Sequence, residues 1–157
     1  MRKLTKKTQG GFTLIELLIV VAIIGIIAAI AIPNLLNAID RGKQKRTMAD
    51  IRSIGTAVEA YAVDVNFYPR ETTFNPVSTD LAAHIEPTFI RDAPDTDGWG
   101  GEIRYQADTN GTEYSVRSYA KDRAKSTTNN SGKTTDFDCD IIYMVGGFVA
   151  WPEGIQT

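Results

Sequence analysis

Few side chains in this sequence could do chemistry, and their spacing narrows what that chemistry would be. The chain has one histidine, His84, and one cysteine, Cys139. A zinc site needs several N or S ligands and a thiol nucleophile needs a base beside it. His84 therefore reads as structural, and one cysteine closes no disulfide within the chain. Asp122, Asp136, Asp138 and Asp140 lie in a polar C-terminal stretch. Aspartates in loops are weak signals of acid–base catalysis, and no Ser/His/Asp arrangement, phosphate loop or metal triad accompanies them. The reading is of a protein that is not an enzyme.

Glu16 is different, because of where it stands. From Phe12 to Ile32 nearly every residue is apolar, and the run holds no Lys, Arg or His. At about 1.5 Å rise per residue, a helix of this length matches the roughly 30 Å hydrocarbon core of a bilayer. A carboxylate inside such a helix costs about 2.5–3.5 kcal/mol at the centre and less near an interface, and is a functional residue by default. What precedes it suggests the function. Arg2, Lys3, Lys6 and Lys7 make a basic leader that stays on the cytoplasmic side. Gly10-Gly11 closes the leader with small, flexible residues suited to an extended peptide in a protease cleft. Cleavage after Gly11 would free an α-amine on Phe12, four residues before Glu16 and on the same helix face. An amine and a carboxylate in lipid offset each other's desolvation by pairing, within one subunit or between neighbours. A subunit could then join a growing helical array by matching its Glu16 to a neighbour's amine.

The elements that would position these groups follow along the chain. Residues 1–11 form the leader and 12–33 the membrane and assembly helix. Pro33 removes a backbone bond to the carbonyl of Ala29 and loosens the helix there. Gly25, Ala28, Ala29 and Ala31 permit close helix packing. The helix continues amphipathically over 34–66, with Met48, Ile51, Ile54, Val58 and Tyr61 in one stripe. Arg41, Lys43, Lys45 and Arg46 form a basic cluster suited to lipid headgroups or simply to water. Asn66-Phe67-Tyr68-Pro69 breaks the helix, and 67–157 forms a globular domain. There, a loop holds Asn75-Pro76, and a short helix runs from Thr79 to Ile85, capped by Thr79 or Ser78. Asp97-Gly98-Trp99-Gly100-Gly101 is a turn with an aromatic anchor. Ile103, Tyr105 and Ala107 alternate with polar residues as in a half-buried strand. Asn110-Gly111 signals a hairpin, and Tyr114 and Val116 alternate in the returning strand. The stretch 125–135 is a polar surface loop. Residues 140–145 and 148–151 make a last hairpin around Gly146-Gly147. The fold class is α+β: a long N-terminal helix, membrane-spanning in its first half, packed on a small antiparallel sheet.

Gly11-Phe12-Thr13-Leu14-Ile15-Glu16 followed by an apolar helix resembles the N-terminal signal of type IV pilins and type II secretion pseudopilins. That resemblance implies cleavage after Gly11 by a prepilin peptidase, N-methylation of Phe12 and an assembly role for Glu16. Pro33 stands where the family has its proline. Further segments are similar to the major, G-type pseudopilin. Tyr68-Pro69 resembles its helix end. Asp97-Gly98-Trp99-Gly100 followed by Tyr105 resembles its Asp-Pro-Trp-Gly…Tyr signature, with Gly98 in place of proline. Ser118-Tyr119-Ala120-Lys121-Asp122 resembles its Ser-x-Gly-x-Asp segment, and Asp140-Ile141 the acidic-Ile end of the following loop. The G-type resemblance implies calcium in that loop, held by Asp122 and Asp140 with Asp138 close by. Cys139 stands where some members carry another acid. Ala120 and Arg123 replace glycines, and the loop is longer. The expected function is a structural subunit of a periplasmic pseudopilus, the major pseudopilin of type II secretion acting in export of folded proteins. Its partners would be further copies, minor pseudopilins, the inner-membrane assembly platform and, before assembly, membrane lipid. The domain would face the periplasm.

Three other readings compete with this one. A type IV pilus subunit, for adhesion, twitching or DNA uptake, shares the N-terminal signal. Many adhesive pilins close a C-terminal loop with a disulfide, which this chain cannot. A secretory signal peptide has an apolar region of about 7–15 residues and an A-x-A-like site. Ala29-Ile30-Ala31 mimics that site, but the apolar run is too long and Glu16 is left unexplained. An anchored ligand-binding domain that does not polymerise predicts that Glu16 is dispensable. The formal charge is −2, and loss of the four basic leader residues leaves 13 basic against 19 acidic side chains, a net −6. Such a domain is a poor partner for nucleic acid.

Overall fold

A computed structural model describes residues 11–127, 131–154 and 156 of the chain. The leader residues Arg2, Lys3, Lys6, Lys7 and Gly10 lie outside the described residues. The chain divides into two units, one up to Leu36 and one from Asn37 onward.

The first unit is helical. Helix α1 begins at Leu14 and runs to Val65, through Pro33 without a break. Just past the proline, the Asn34 side-chain amide donates to the Ile30 carbonyl at 3.1 Å. No residue from Gly11 to Leu36 is buried. Leu, Ile and Val side chains along this segment are half to four-fifths exposed.

In the second unit the same helix acquires a buried face. Ile51, Ile54 and Val58 are fully buried, and Met48 and Tyr61 pack beside them, which is the stripe read from the sequence. Gln44, Thr47, Gly55 and Ala57 are buried as well. Gly55 is required by contact: a Cβ there would lie 2.3 Å from the Tyr143 ring. The helix ends at Val65, and the next residue, Asn66, has a φ of 65°, the left-handed cap conformation that asparagine tolerates.

Against this face lies a sheet in the order β1-β2-β3-β5-β6-β4. The strands are β1 (Asn75–Pro76), β2 (Arg104–Ala107), β3 (Tyr114–Ser118), β4 (Gly132–Thr134), β5 (Ile141–Met144) and β6 (Gly147–Pro152). Helix α2 spans Leu81–Ile85. The sheet is mixed rather than wholly antiparallel, because β4 pairs parallel with β6. Local alternation specifies a strand's faces but carries no information on the direction of a distant edge partner. Four further expectations are corrected. Asn75-Pro76 is not loop but an edge strand paired with Tyr105 and Arg104, a place where proline's missing donor is harmless. The short helix begins after Asp80, with no side-chain cap. Part of the polar stretch 125–135 is strand β4. The last hairpin turns on Val145-Gly146, both at positive φ, one residue earlier than Gly146-Gly147.

The β2–β3 connection is six residues long, 108–113, rather than a tight two-residue turn. Asp108 organises it. Its carboxylate accepts N–H bonds from Thr112 at 2.6 Å, Glu113 at 3.0 Å and Asn110 at 3.3 Å. Those bonds, the Glu113 amide foremost, hold the Asp108 carboxyl down at about 2.

Candidate functional site

At the N-terminus, Glu16 and Thr13 form a reciprocal cap. The Thr13 N–H and hydroxyl donate to Glu16 Oε2 at 2.8 and 2.6 Å, and the Glu16 N–H returns to the Thr13 hydroxyl at 3.3 Å. This is a capping box, in which a Thr and a Glu three residues later satisfy orphan donors of the first turn. Thr13 was not singled out above, although Thr-x-x-Glu ahead of an apolar run is its sequence signature. The cap also corrects one expectation. Phe12 precedes the first helical residue, so Phe12 and Glu16 do not share a helix face here. Phe12 is 79% exposed.

In the second unit the turn at Asp97 is locked onto α1. Buried Asp97 accepts the N–H of Trp99 and of Gly101 on Oδ1, and the Ser118 hydroxyl at 2.6 Å on Oδ2. The Gly98 N–H donates to the Thr47 hydroxyl at 2.8 Å, and a Cβ on Gly98 would stand 2.4 Å from the Lys43 carbonyl oxygen. Proline could neither donate that bond nor fit, which accounts for glycine at this position. The Trp99 indole donates to Asp40 at 3.1 Å, and Lys121 pairs with the same carboxylate at 3.1 Å. Partial burial pushes the Asp40 carboxyl up, but the bonds from Lys121 and Trp99 outweigh it and leave it lowered.

The loop from Tyr119 to Cys139 carries the acids assigned to calcium. Ala120 and Arg123 both sit at positive φ, 55° and 57°. These are the two positions where the resemblance expects glycine, so the backbone keeps the conformation without the residue that adopts it freely. Three of the nearby carboxylates are engaged locally. Asp122 accepts from the Ala124 N–H, Asp136 from the Asp138 N–H, and Asp140 from the Ser126 N–H. Burial raises the Asp138 carboxyl, and Asp136 and Asp122 push it further. Burial also raises Asp140, against the pull of Ser126 and Arg117. Calcium takes about 6–8 oxygens at roughly 2.3–2.6 Å. Among the described residues no three His, Cys, Asp or Glu side chains gather to hold a metal, and Arg117 lies 3.7 Å from Asp140 Oδ2. As arranged, these residues do not fit a calcium cage. Elsewhere, His84 is exposed and makes an edge contact with Tyr61, and Cys139 is buried.

A capped apolar N-terminal helix that continues onto a small α+β domain defines a pilin-like subunit. Comparison with known proteins makes this specific. Residues 34–136 match the family described as type II secretion system protein G, and residues 6–32 match the prokaryotic N-terminal methylation motif. The chain belongs to the type II secretion system protein G family. It is 32% identical over 111 residues to the type II secretion system core protein G of Vibrio cholerae serotype O1, covering 67% of this chain and 74% of that one. It is 27% identical over 143 residues to the core protein G of Pseudomonas aeruginosa, covering 85% and 98%. It is also 54% identical over 59 residues to the type IV major fimbrial protein FimA of Dichelobacter nodosus, 38% of each chain.

Proposed function

We propose that this protein is the major pseudopilin of a type II secretion system, a structural subunit whose copies stack into a periplasmic filament that exports folded proteins. The observation that carries the reading is the pairing of two features in one chain: the methylation-type N-terminus and a protein G domain that spans most of the remainder. Prepilin peptidase cleaves after Gly11, and Phe12 becomes the methylated N-terminus. The subunit then waits in the inner membrane, single-pass, with the domain in the periplasm. An apolar segment of mean hydropathy 3.1, none of it buried within its own chain, supports that anchorage. Pro33 gives the helix its point of flexibility. Minor pseudopilins and the inner-membrane assembly platform are the further partners.

Glu16 has a double role on this reading. Before cleavage it caps its own helix through Thr13. After cleavage a new cation appears at Phe12, and the carboxylate exchanges its local partner for the amine of a neighbour. Glu16→Ala should abolish filament formation while the domain still folds. An anchored binding domain that does not polymerise predicts no change.

The likeness to a fimbrial protein favours one second reading, a subunit of a surface type IV pilus. Deleting the gene separates the two. Loss of proteins from the culture medium with surface filaments unchanged supports secretion. Loss of filaments with secretion intact overturns it in favour of the pilus.

A further inference from the structure

Arg117 and Asp140 meet at the mouth of the loop that joins β3 to β5. The register sets Arg117 opposite Ile142 and Ser118 opposite Ile141. Asp140, one residue before β5, is thus the diagonal neighbour of Arg117 across the ladder, within reach of a long side chain. The Asp140 side chain is fully buried and that of Arg117 is 11% exposed, with Nη1 3.7 Å from Oδ2. The guanidinium also lies over the Phe74 ring, 4.8 Å from its centroid. On its other oxygen, Asp140 accepts the Ser126 N–H at 3.1 Å, which ties the first part of the loop to its end.

The contact between the two is one of charge rather than of directed hydrogen bonds. Among the described residues, Asp140 Oδ2 accepts none, and Arg117 Nε and Nη1 donate none. A carboxylate buried this far needs a counter-charge. Arg117 needs one too, because Arg104 stands directly opposite it across the β2–β3 ladder, and like charges so placed repel. Arg104 is held by Glu102 at 2.7 Å. Asp122 is the other acid that acts on Asp140, but its carboxylate faces its own turn at Ala124. A divalent ion on Asp140 Oδ2 would lie within about 6 Å of the guanidinium, given an ordinary calcium–oxygen distance.

We propose that Arg117 is the built-in counter-ion of Asp140, an internal cation that fastens β3 to the residue preceding β5 and makes the folding of this domain independent of calcium. The chain's own guanidinium supplies the positive charge that a bound ion would otherwise bring, and the ladder register delivers it at no cost in ligand affinity. The proposal stands apart from the filament reading, and its test does not involve secretion.

The test uses the full chain in detergent, with calcium chloride and terbium as probes. The melting temperature is recorded in excess EDTA and in millimolar calcium chloride, and sensitised terbium luminescence is titrated. The expected result is one melting temperature in both conditions and luminescence at background. A bound ion in large excess over its dissociation constant would raise the melting temperature by several degrees. A rise in calcium, or saturable terbium luminescence, overturns the proposal. Arg117→Met should lower the melting temperature by roughly 5 °C or more, and Asp140→Asn added to it should restore much of the loss. An Arg117→Met protein that melts like the wild type also overturns it. Should Arg117→Met fail to fold, the wild-type comparison decides.

Discussion

The two halves of helix α1 are built from similar residues and live in opposite surroundings. Ile23, Ile27 and Ile30 are more than half exposed, whereas Ile51 and Ile54 are fully buried. The first half is apolar all round, so no single face can be turned to a core. The second half is apolar along one stripe and charged elsewhere. A stripe can be covered by one sheet; a fully apolar cylinder needs lipid or other helices on every side. The difference teaches that the arrangement of apolar residues, more than their number, decides which partner a helix requires.

The comparison can be broken most directly by making one substitution in both halves. Ile54→Ala should destabilise the domain by about 2–5 kcal/mol, through lost burial plus a cavity. Ile27→Ala should leave the same unfolding transition within about 0.5 kcal/mol. Equal effects in denaturant titrations would show that the halves are not energetically separate. A smaller effect probes how the second half is fastened. Gly98→Ala places a methyl against the Lys43 carbonyl and should cost about 1–3 kcal/mol by overpacking. Unchanged stability together with unchanged amide exchange at position 98 in that variant would contradict the docking.

The smallest effect sharpens the contrast between the core and its loops. Asp108 is partly exposed, and its carboxyl is held down at about 2 by the amides of Glu113 and Thr112. A depressed carboxyl stabilises the fold above its unfolded value, near 4, and that contribution is lost as pH falls through 2. The stability difference between wild type and Asp108→Asn should therefore be constant near neutral pH and shrink below about pH 4. A carbon-detected titration of Asp108 with a midpoint near 4 would refute the capped loop. Tyr105 and Tyr114 are instead raised by burial. Tyr114 holds its proton for a bond to Glu59 at 2.8 Å.

Much of the fold was legible because its signals are local. The apolar run, the Met48–Tyr61 stripe, the break at Asn66 and the alternation around Tyr105 and Tyr114 each depend on residues within a turn or two of one another. The Thr13–Glu16 cap is equally local, since Thr-x-x-Glu ahead of an apolar run carries its signature within four residues. The less legible parts depend on distant segments. Neither the parallel pairing of β4 nor the strand at Asn75-Pro76 has a signature within its own two or three residues.

The sequence by itself determined that one segment is apolar on every face, that a helix with a buried stripe follows it, and that strands and turns come next. Those choices rest on periodicity and local chemistry, which a linear chain displays. Only the tertiary structure decided that Gly98 is pressed against the Lys43 carbonyl, that Ala120 and Arg123 keep a backbone made for glycine, and that Arg117 faces Asp140. These are meetings between residues 23 to 55 positions apart, or φ values imposed by packing. Their energy comes from close approach and burial in three dimensions, to which spacing along the chain gives no guide.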